Sequence, residues 1–277
     1  KARIIILNME GSQNKVEKIT PKVVLHFLRH SKKEKAPEKN DTDIQLTKEG
    51  RNLAARKYEN PVDMRFAHVV GSPRIRTHET SATAATQDPK TNPKDLGVGK
   101  VRVNKALYFA ISEGEYGNRL NAAFEEGKGM SFLVNVSVGL ARDTGDTTSS
   151  TYSRMAANIA GIIHRNYEVA TRGASIFEQS GNPKNQQNDF ERILATHGAI
   201  QECFLLKVAE KVKGVVERNA LLVAIGENGF DFTEGFDATF SKENGQEQIR
   251  ITYKKGKYAF DEVVPVSVIE KIIEEGK

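Results

Sequence analysis

Two histidines that each close an apolar run, His30 in HFLRHS and His197 in LATHGA, stand out as candidate reactive groups. Arg29 precedes the first and Gly198 follows the second. A third apolar run leads into GSPRIRTHET, which supplies Arg76. Three apolar runs that end on His or Arg predict one cationic pocket at the ends of parallel strands, where α/β sheets hold their ligands. Such a pocket suits phosphate, because guanidinium forks match phosphoryl oxygens. A neutral imidazole can attack phosphorus and form a phosphohistidine. The second histidine and the two arginines would hold the phosphoryl oxygens while charge redistributes. A carboxylic acid must then protonate the leaving oxygen and later deprotonate the attacking water.

Strands and helices must bring these groups together. KVVLHFLRH (22–30) is almost continuously apolar, as in a strand buried on both faces. FAHVVGS (66–72) and FERILATH (190–197) read as further strands, and RIIIL (3–7) as a short one. Helices are expected over 46–59, with Thr47 as N-cap, over 74–86, rich in small residues, and over 199–212. A long amphipathic helix is expected over 151–172, with Met155, Ile159, Ile162 and Ile163 at helical spacing. Residues 87–148 form a middle section too long for an ordinary connection: a loop, the run VRVNKALYF and the Gly/Glu segment ISEGEYGN. SGNPKNQQND (180–189) is a turn-rich linker. From Ala220 onward, alternation around ENG and KKGK predicts two or three antiparallel strands, and VSVIEKIIEEGK a closing helix. Strand–helix alternation over 22–212 predicts an α/β fold with a mainly parallel sheet. The expected organisation is one domain over 1–277, with a catalytic core at about 20–212 and a β-rich extension at about 220–277.

Composition narrows the function. The 277 residues are 38% hydrophobic and 28% charged, ordinary for a globular protein. The net charge of +5 comes with scattered lysines, which suits an anionic substrate; no nucleic-acid partner is expected. The single cysteine, Cys203, excludes an intrachain disulfide and reads as a small buried hydrophobe. No apolar run approaches the ~20 residues of a membrane span. The start, KARIIILNMEG, is too short in its apolar part for a secretion signal, and a chain that begins with Lys1 leaves room for a removed upstream segment. Cytoplasm is the expected location. No Cys/His spacing suggests a metal site and no phosphate-cradling G-x-x-x-x-G-K-[ST] loop is present, so no metal or cofactor is expected.

The sequence resembles the histidine phosphatase superfamily, which includes the cofactor-dependent phosphoglycerate mutases. LRHS matches its Arg-His-Gly motif with Arg29 and His30. DIQLTKEG matches D-x-x-L-T-x-x-G with Asp43, Leu46, Thr47 and Gly50. SPRIRTHET matches Ser-Pro-x-x-Arg-x-x-x-Thr with Ser72, Pro73, Arg76 and Thr80. THG (Thr196, His197, Gly198) matches the late Ser-His-Gly, and EGEYG matches E-x-x-x-G with Glu113 and Gly117. The resemblance implies a three-layer α/β sandwich, phosphomonoester hydrolysis, His30 as nucleophile, and Arg29, Arg76 and His197 as phosphate ligands. It implies Glu113 as proton donor, with Glu115 as the alternative. Ser31 replaces the motif glycine and is expected to crowd the turn beside the phosphate; Lys33 and Ala36 replace the usual Thr and Asn.

Two other functions share these residues: a phosphoglycerate-mutase-type phosphotransferase, and a non-catalytic module that recognises phosphorylated partners. The expected partner is a small phosphorylated substrate, with no membrane. His26 reads as a satisfied core residue, His78 as a surface or supporting one, and His68 and His164 as structural. The segment from about Ala220 is expected to shape access to the pocket or simply to extend the sheet.

Overall fold

The computed structural model describes residues 22–65, 67–97, 99–111, 113–180, 190–243 and 246–277. The run at 3–7 and nearly all of the linker at 180–189 lie outside them. The strands are β1 (Val23–Arg29), β2 (Ala67–Gly71), β3 (Val101–Val103), β4 (Phe190–Thr196), β5 (Gly235–Glu243), β6 (Gln246–Lys255) and β7 (Tyr258–Val264). They form one sheet in the order β3-β2-β4-β1-β5-β6-β7. The first four run parallel, and β5, β6 and β7 continue the sheet antiparallel from β1.

The helices are α1 (Lys48–Ala55), α2 (Ile75–Thr86), α3 (Glu115–Glu125), α4 (Gly129–Asn135), α5 (Ser137–Asp143), α6 (Tyr152–Ser180), α7 (Ile200–Lys213), α8 (Val215–Ile225) and α9 (Val266–Glu275). Side-chain alternation along the central strands separates two cores. Leu25, Phe27, Val70 and Leu194 pack with Met155, Ile159 and Ile163 of α6, Phe204 and Leu205 of α7, and Ile269 and Ile272 of α9. Leu28, Val69 and Ile193 face the other way, onto Ala84 and Ala85 of α2. The result is a three-layer α/β sandwich with a mainly parallel centre, as expected. The small side chains of α2, buried from Thr80 to Ala85, let that helix lie close to the sheet. Thr47 caps α1 by accepting the N–H of Gly50 at 2.9 Å.

Two stretches differ from the sequence reading. Residues 220–225 belong to α8, where Leu221 and Ile225 are buried one helical turn apart; the strand pattern begins only at Gly235. The middle section holds three short helices, with Tyr116, Leu120 and Ala123 burying one face of α3. Its Gly/Glu-rich composition hides that period. His26 is the core histidine expected: it bonds Asp237 at 2.8 Å and Glu191 at 3.3 Å from the strands on either side. Burial alone would lower its pKa, but the two carboxylates override that and raise it to about 9.

No described helix is long and apolar enough to cross a membrane. Among the described residues no group of three or more His, Cys, Asp or Glu side chains could hold a metal ion. Cys203 is fully buried, and burial pushes its thiol pKa up.

Candidate active site

Strand register assembles the site. Arg29 is opposite Thr196 in the β1–β4 ladder, so the next residues, His30 and His197, leave adjacent strand ends together. The N–H of His30 donates to the carbonyl of Thr196 at 2.8 Å. Gly71 is opposite Ala195, which sets Ser72 beside the same end. The hydroxyl of Ser72 and Nε2 of His197 share a 2.8 Å hydrogen bond.

The two imidazoles meet edge to face, with ring centroids 5.3 Å apart, and both are buried. Nδ1 of His30 donates to the carbonyl of Ser31 at 2.8 Å, which leaves Nε2 with its lone pair. Burial lowers the His30 pKa to about 4, aided by the charges of Arg76, Arg29 and Lys33 and opposed by the bond to Ser31. Burial, the adjacent His30 ring and the charges of Arg76 and Arg74 lower that of His197 to about 2, with Asp41 opposing. Both rings are therefore neutral at pH 7, the form in which an imidazole is a nucleophile.

Ser31 does not crowd the pocket. It is fully buried, its hydroxyl donates to the Gly50 carbonyl at 2.7 Å, and its N–H donates to the hydroxyl of Thr80 at 3.0 Å. The side chain points toward α1. Gly50 makes room for this loop, since a Cβ there would lie 2.2 Å from the Lys32 carbonyl oxygen. Thr80 closes the link by donating to the Arg76 carbonyl at 2.8 Å.

The arginines come from two sides. Arg29 donates to the carbonyls of Asn228 and Phe230 and stacks on Phe232, 5.4 Å from the ring centroid. Gly198 lies close beside it: a Cβ there would come within 3.2 Å of the guanidinium carbon. Arg76 is buried and donates to both carboxylate oxygens of Asp41, at 3.1 and 3.2 Å, and to its carbonyl at 2.8 Å. Asp41 also pairs with Arg74 at 3.2 Å and Lys33 at 3.3 Å. Partial burial would raise its pKa, but Arg76, Lys33 and Arg74 hold the carboxyl below the usual range.

Glu113 is exposed, and no hydrogen bond or ion pair between described residues joins it to this cluster. Glu115 is also exposed and pairs with Arg119 at 3.6 Å. The segment that leads to them does touch the site. Tyr108 bonds Arg74, lies under its guanidinium at 4.6 Å, and meets His197 edge-on at 6.1 Å. Thr196 anchors the same segment by donating to the Leu107 carbonyl at 2.7 Å. His78 is half-buried on α2, and a Cβ on Gly71 would strike its ring, so it packs behind the β2 end.

Five contributors escaped the sequence reading. Asp41 stands just before DIQLTKEG and Arg74 lies within SPRIRTHET, which is their one sequence signal. Tyr108 and Phe232 carry none. Glu202 falls in the first turn of α7, just past the THG motif. It is fully buried and accepts the N–H of Phe230 at 2.7 Å. Glu202 thus ties the turn after His197 to the loop whose carbonyls hold Arg29. Ala199 in that turn has φ 76°, a left-handed conformation costly for a residue with a Cβ.

Comparison with known proteins matches part of the chain to a family. The model of the histidine phosphatase superfamily (branch 1) matches residues 25–95. No curated protein matches the chain. Among solved structures, Mycobacterial hydrolase 2 is 13% identical with TM-score 0.45, covering 92% of this chain and 98% of its own. Mycobacterial glucosyl-3-phosphoglycerate phosphatase is 15% identical with TM-score 0.42, covering 82% and 97%. The alpha-ribazole phosphatase of Shigella flexneri is 14% identical with TM-score 0.42, covering 83% and 95%. These structural likenesses are too distant to inform the site. The family match spans the segment that carries Arg29, His30 and Arg76, and over residues 25–95 the resemblance to histidine phosphatases expected from the motifs is shown.

Proposed function

We propose that this protein hydrolyses phosphomonoesters through a phosphohistidine on His30. One observation carries the reading: two buried, neutral imidazoles meet at adjacent parallel strand ends, with His30 Nδ1 tied to a carbonyl so that Nε2 is free. In the first step the Nε2 lone pair attacks phosphorus and the ester P–O bond breaks, its electron pair leaving on oxygen. A carboxylic acid protonates that oxygen. The positive charge that develops on the imidazole is stabilised through the Nδ1–H bond to Ser31. Arg29, Arg76 and His197 hold the phosphoryl oxygens. Water then attacks phosphorus, the N–P bond breaks and returns its pair to Nε2, and the carboxylate takes the water's proton. Orthophosphate leaves.

Glu113 is the proposed proton donor. Asp41 is nearer the arginines, but its carboxyl is held below the usual range and stays ionised at neutral pH, which makes it a poor acid. Glu113 follows Tyr108 by five residues, so it lies within ~17 Å of a residue that touches the site. The natural substrate class in this reading is a small phosphorylated molecule met in the cytoplasm, since a lone cysteine needs no oxidising compartment.

The direct test is rapid mixing with p-nitrophenyl phosphate followed by an alkaline denaturing quench, since phosphohistidine survives alkali. One phosphoryl group on the peptide containing His30 is expected, absent in His30→Ala. A folded His30→Ala protein with wild-type turnover would overturn the assignment. Glu113→Gln should slow an alkyl phosphate by ~100-fold and p-nitrophenyl phosphate far less, because nitrophenolate leaves without a proton. Equal losses on both substrates would remove Glu113 from the role.

A further inference from the structure

Beside Tyr108 a groove of about 640 Å³ runs down one face of α6. Lys105 and Tyr108 form one wall, and Arg154, Gly161 and Arg165 lie along the helix. Arg154 and Arg165 are eleven positions apart on the same face, ~16 Å of helix, with Gly161 between them. A Cβ at Gly161 would meet nothing nearer than the Arg165 guanidinium at 3.9 Å, so the floor between the two arginines is open.

The charge of this groove is unbalanced. None of its described lining residues is Asp or Glu. Elsewhere the surface lysines are commonly paired, as in Lys32–Glu49, Lys39–Glu34 and Lys213–Glu262. Lys105 and Arg165 are exposed, and neither joins an ion pair between described residues. Arg154 is held by two backbone carbonyls, Ser149 at 2.9 Å and Asp146 at 3.0 Å, which orient the guanidinium. The Asp146 carboxylate turns into its own loop, accepting the N–H groups of Thr148 and Ser149 at 2.8 Å each. Four cations line the cleft, of which Lys277 is paired with Glu274 at 2.5 Å, and no described lining side chain is acidic; such a cleft concentrates anions.

Its position gives the anion a purpose. Tyr108 is a wall of the groove and at the same time touches Arg74 and His197. Tyr108 thus joins the groove to the residues around His197. We infer that the groove is a second anion subsite, selecting small phosphomonoesters that carry another phosphate or a carboxylate at their far end. This inference rests on the phosphatase reading for its first anchor and names the substrate class of that same site.

Full-length protein and the double variant Lys105→Glu/Arg165→Glu are compared on p-nitrophenyl phosphate, hexane-1,6-diol bisphosphate and 6-phosphohexanoate. The expected result is a fall of about tenfold or more in kcat/KM for the bisphosphate relative to p-nitrophenyl phosphate, seen in KM rather than kcat. A larger effect on the bisphosphate than on the phosphohexanoate would assign the subsite to phosphate, and the reverse to carboxylate. Lys254→Glu/Lys257→Glu on the β6–β7 hairpin controls for net charge and should leave the ratio alone. Gly161→Asp, which puts a carboxylate on the floor, should reproduce the loss if the double variant folds poorly. An unchanged ratio in both groove variants overturns the proposal. Calorimetric binding of hexane-1,6-diol bisphosphate to His30→Ala protein separates the two readings. Weakened binding in the groove variants supports the subsite even if no ester is hydrolysed. Equal binding, alongside normal p-nitrophenyl phosphate turnover, sinks the subsite alone.

Discussion

Replacing Asp41 by Asn should strengthen phosphate binding. This carboxylate takes both terminal nitrogens of Arg76 at 3.1 and 3.2 Å and is approached by Arg74 at 3.2 Å and Lys33 at 3.3 Å. Arg76 is a proposed phosphate ligand, so in that reading phosphate must either displace the carboxylate or sit beside its negative charge. Asp41 is nearly half exposed, with 45% of its side chain accessible, so each pair is screened. Exposed pairs are worth ~0.2–1 kcal/mol each, and three pairs sharing one carboxylate come to about 1–2 kcal/mol. Asparagine keeps the shape and an acceptor oxygen but removes the charge. Orthophosphate should then bind about tenfold more tightly, since ~1.4 kcal/mol is a factor of ten. Titration calorimetry of both proteins at pH 7.5 reads this directly. The gain should persist across neutral pH, because the neighbouring cations keep Asp41 ionised through that range. Equal or weaker binding in Asp41→Asn would refute the competition argument and show that the carboxylate orients Arg76 instead.

Other expectations follow from the same structure. His30 should titrate near pH 4 in ligand-free protein, not near 6.5, as read by NMR of the labelled imidazole; a midpoint above 6 would contradict its burial among cations. Its folded pKa lies below the unfolded one, so the unfolded state binds the extra proton and stability should fall as pH drops from 6.5 toward 4. His26 has the opposite sign. Its folded pKa of about 9 exceeds 6.5, so its contribution is complete below pH 6.5 and is lost as pH rises through about 9. The ceiling is about 3 kcal/mol at 1.36 per pKa unit, reduced by the solvent around Asp237. Urea midpoints at pH 6.5 and 9.5 test it, and a His26→Phe protein with the same pH dependence would contradict it. Truncation after Asn219 should give insoluble protein, because it removes β5 and exposes the edge of β1. It also removes the carbonyls that hold Arg29. A soluble, cooperatively folded truncation would show that the last three strands are dispensable.

That last expectation revises the sequence view of the C-terminal segment. From alternation alone it is either a screen over the pocket or an edge extension of the sheet. The ladder makes it the direct neighbour of the central strand, with Phe236 stacked on Phe27 at 4.8 Å. The turn before it, from Asn228 to Phe232, enters the site through Arg29.

What the sequence by itself determined is local. Continuous apolar runs mark β1, β2 and β4, because strands buried on both faces must be apolar throughout. The residues that end those runs, His30, Ser72 and His197, therefore stand out as a set in the sequence. Helical spacing likewise exposes α6, and Thr47 announces α1. The contributions of Asp41, Arg74, Tyr108, Glu202 and Phe232 depend on which chain segments meet, and nothing in their own neighbourhoods encodes it. Asp41 reaches Arg76 from a loop 35 residues away, and Arg29 finds its acceptors about 200 residues away. The inward turn of Ser31 depends on Gly50, and the acidity of His30 and His197 on how deeply the sheet ends are covered. Those properties come from strand register and burial, which only the tertiary structure decides, because they arise from contacts between segments that the chain holds far apart.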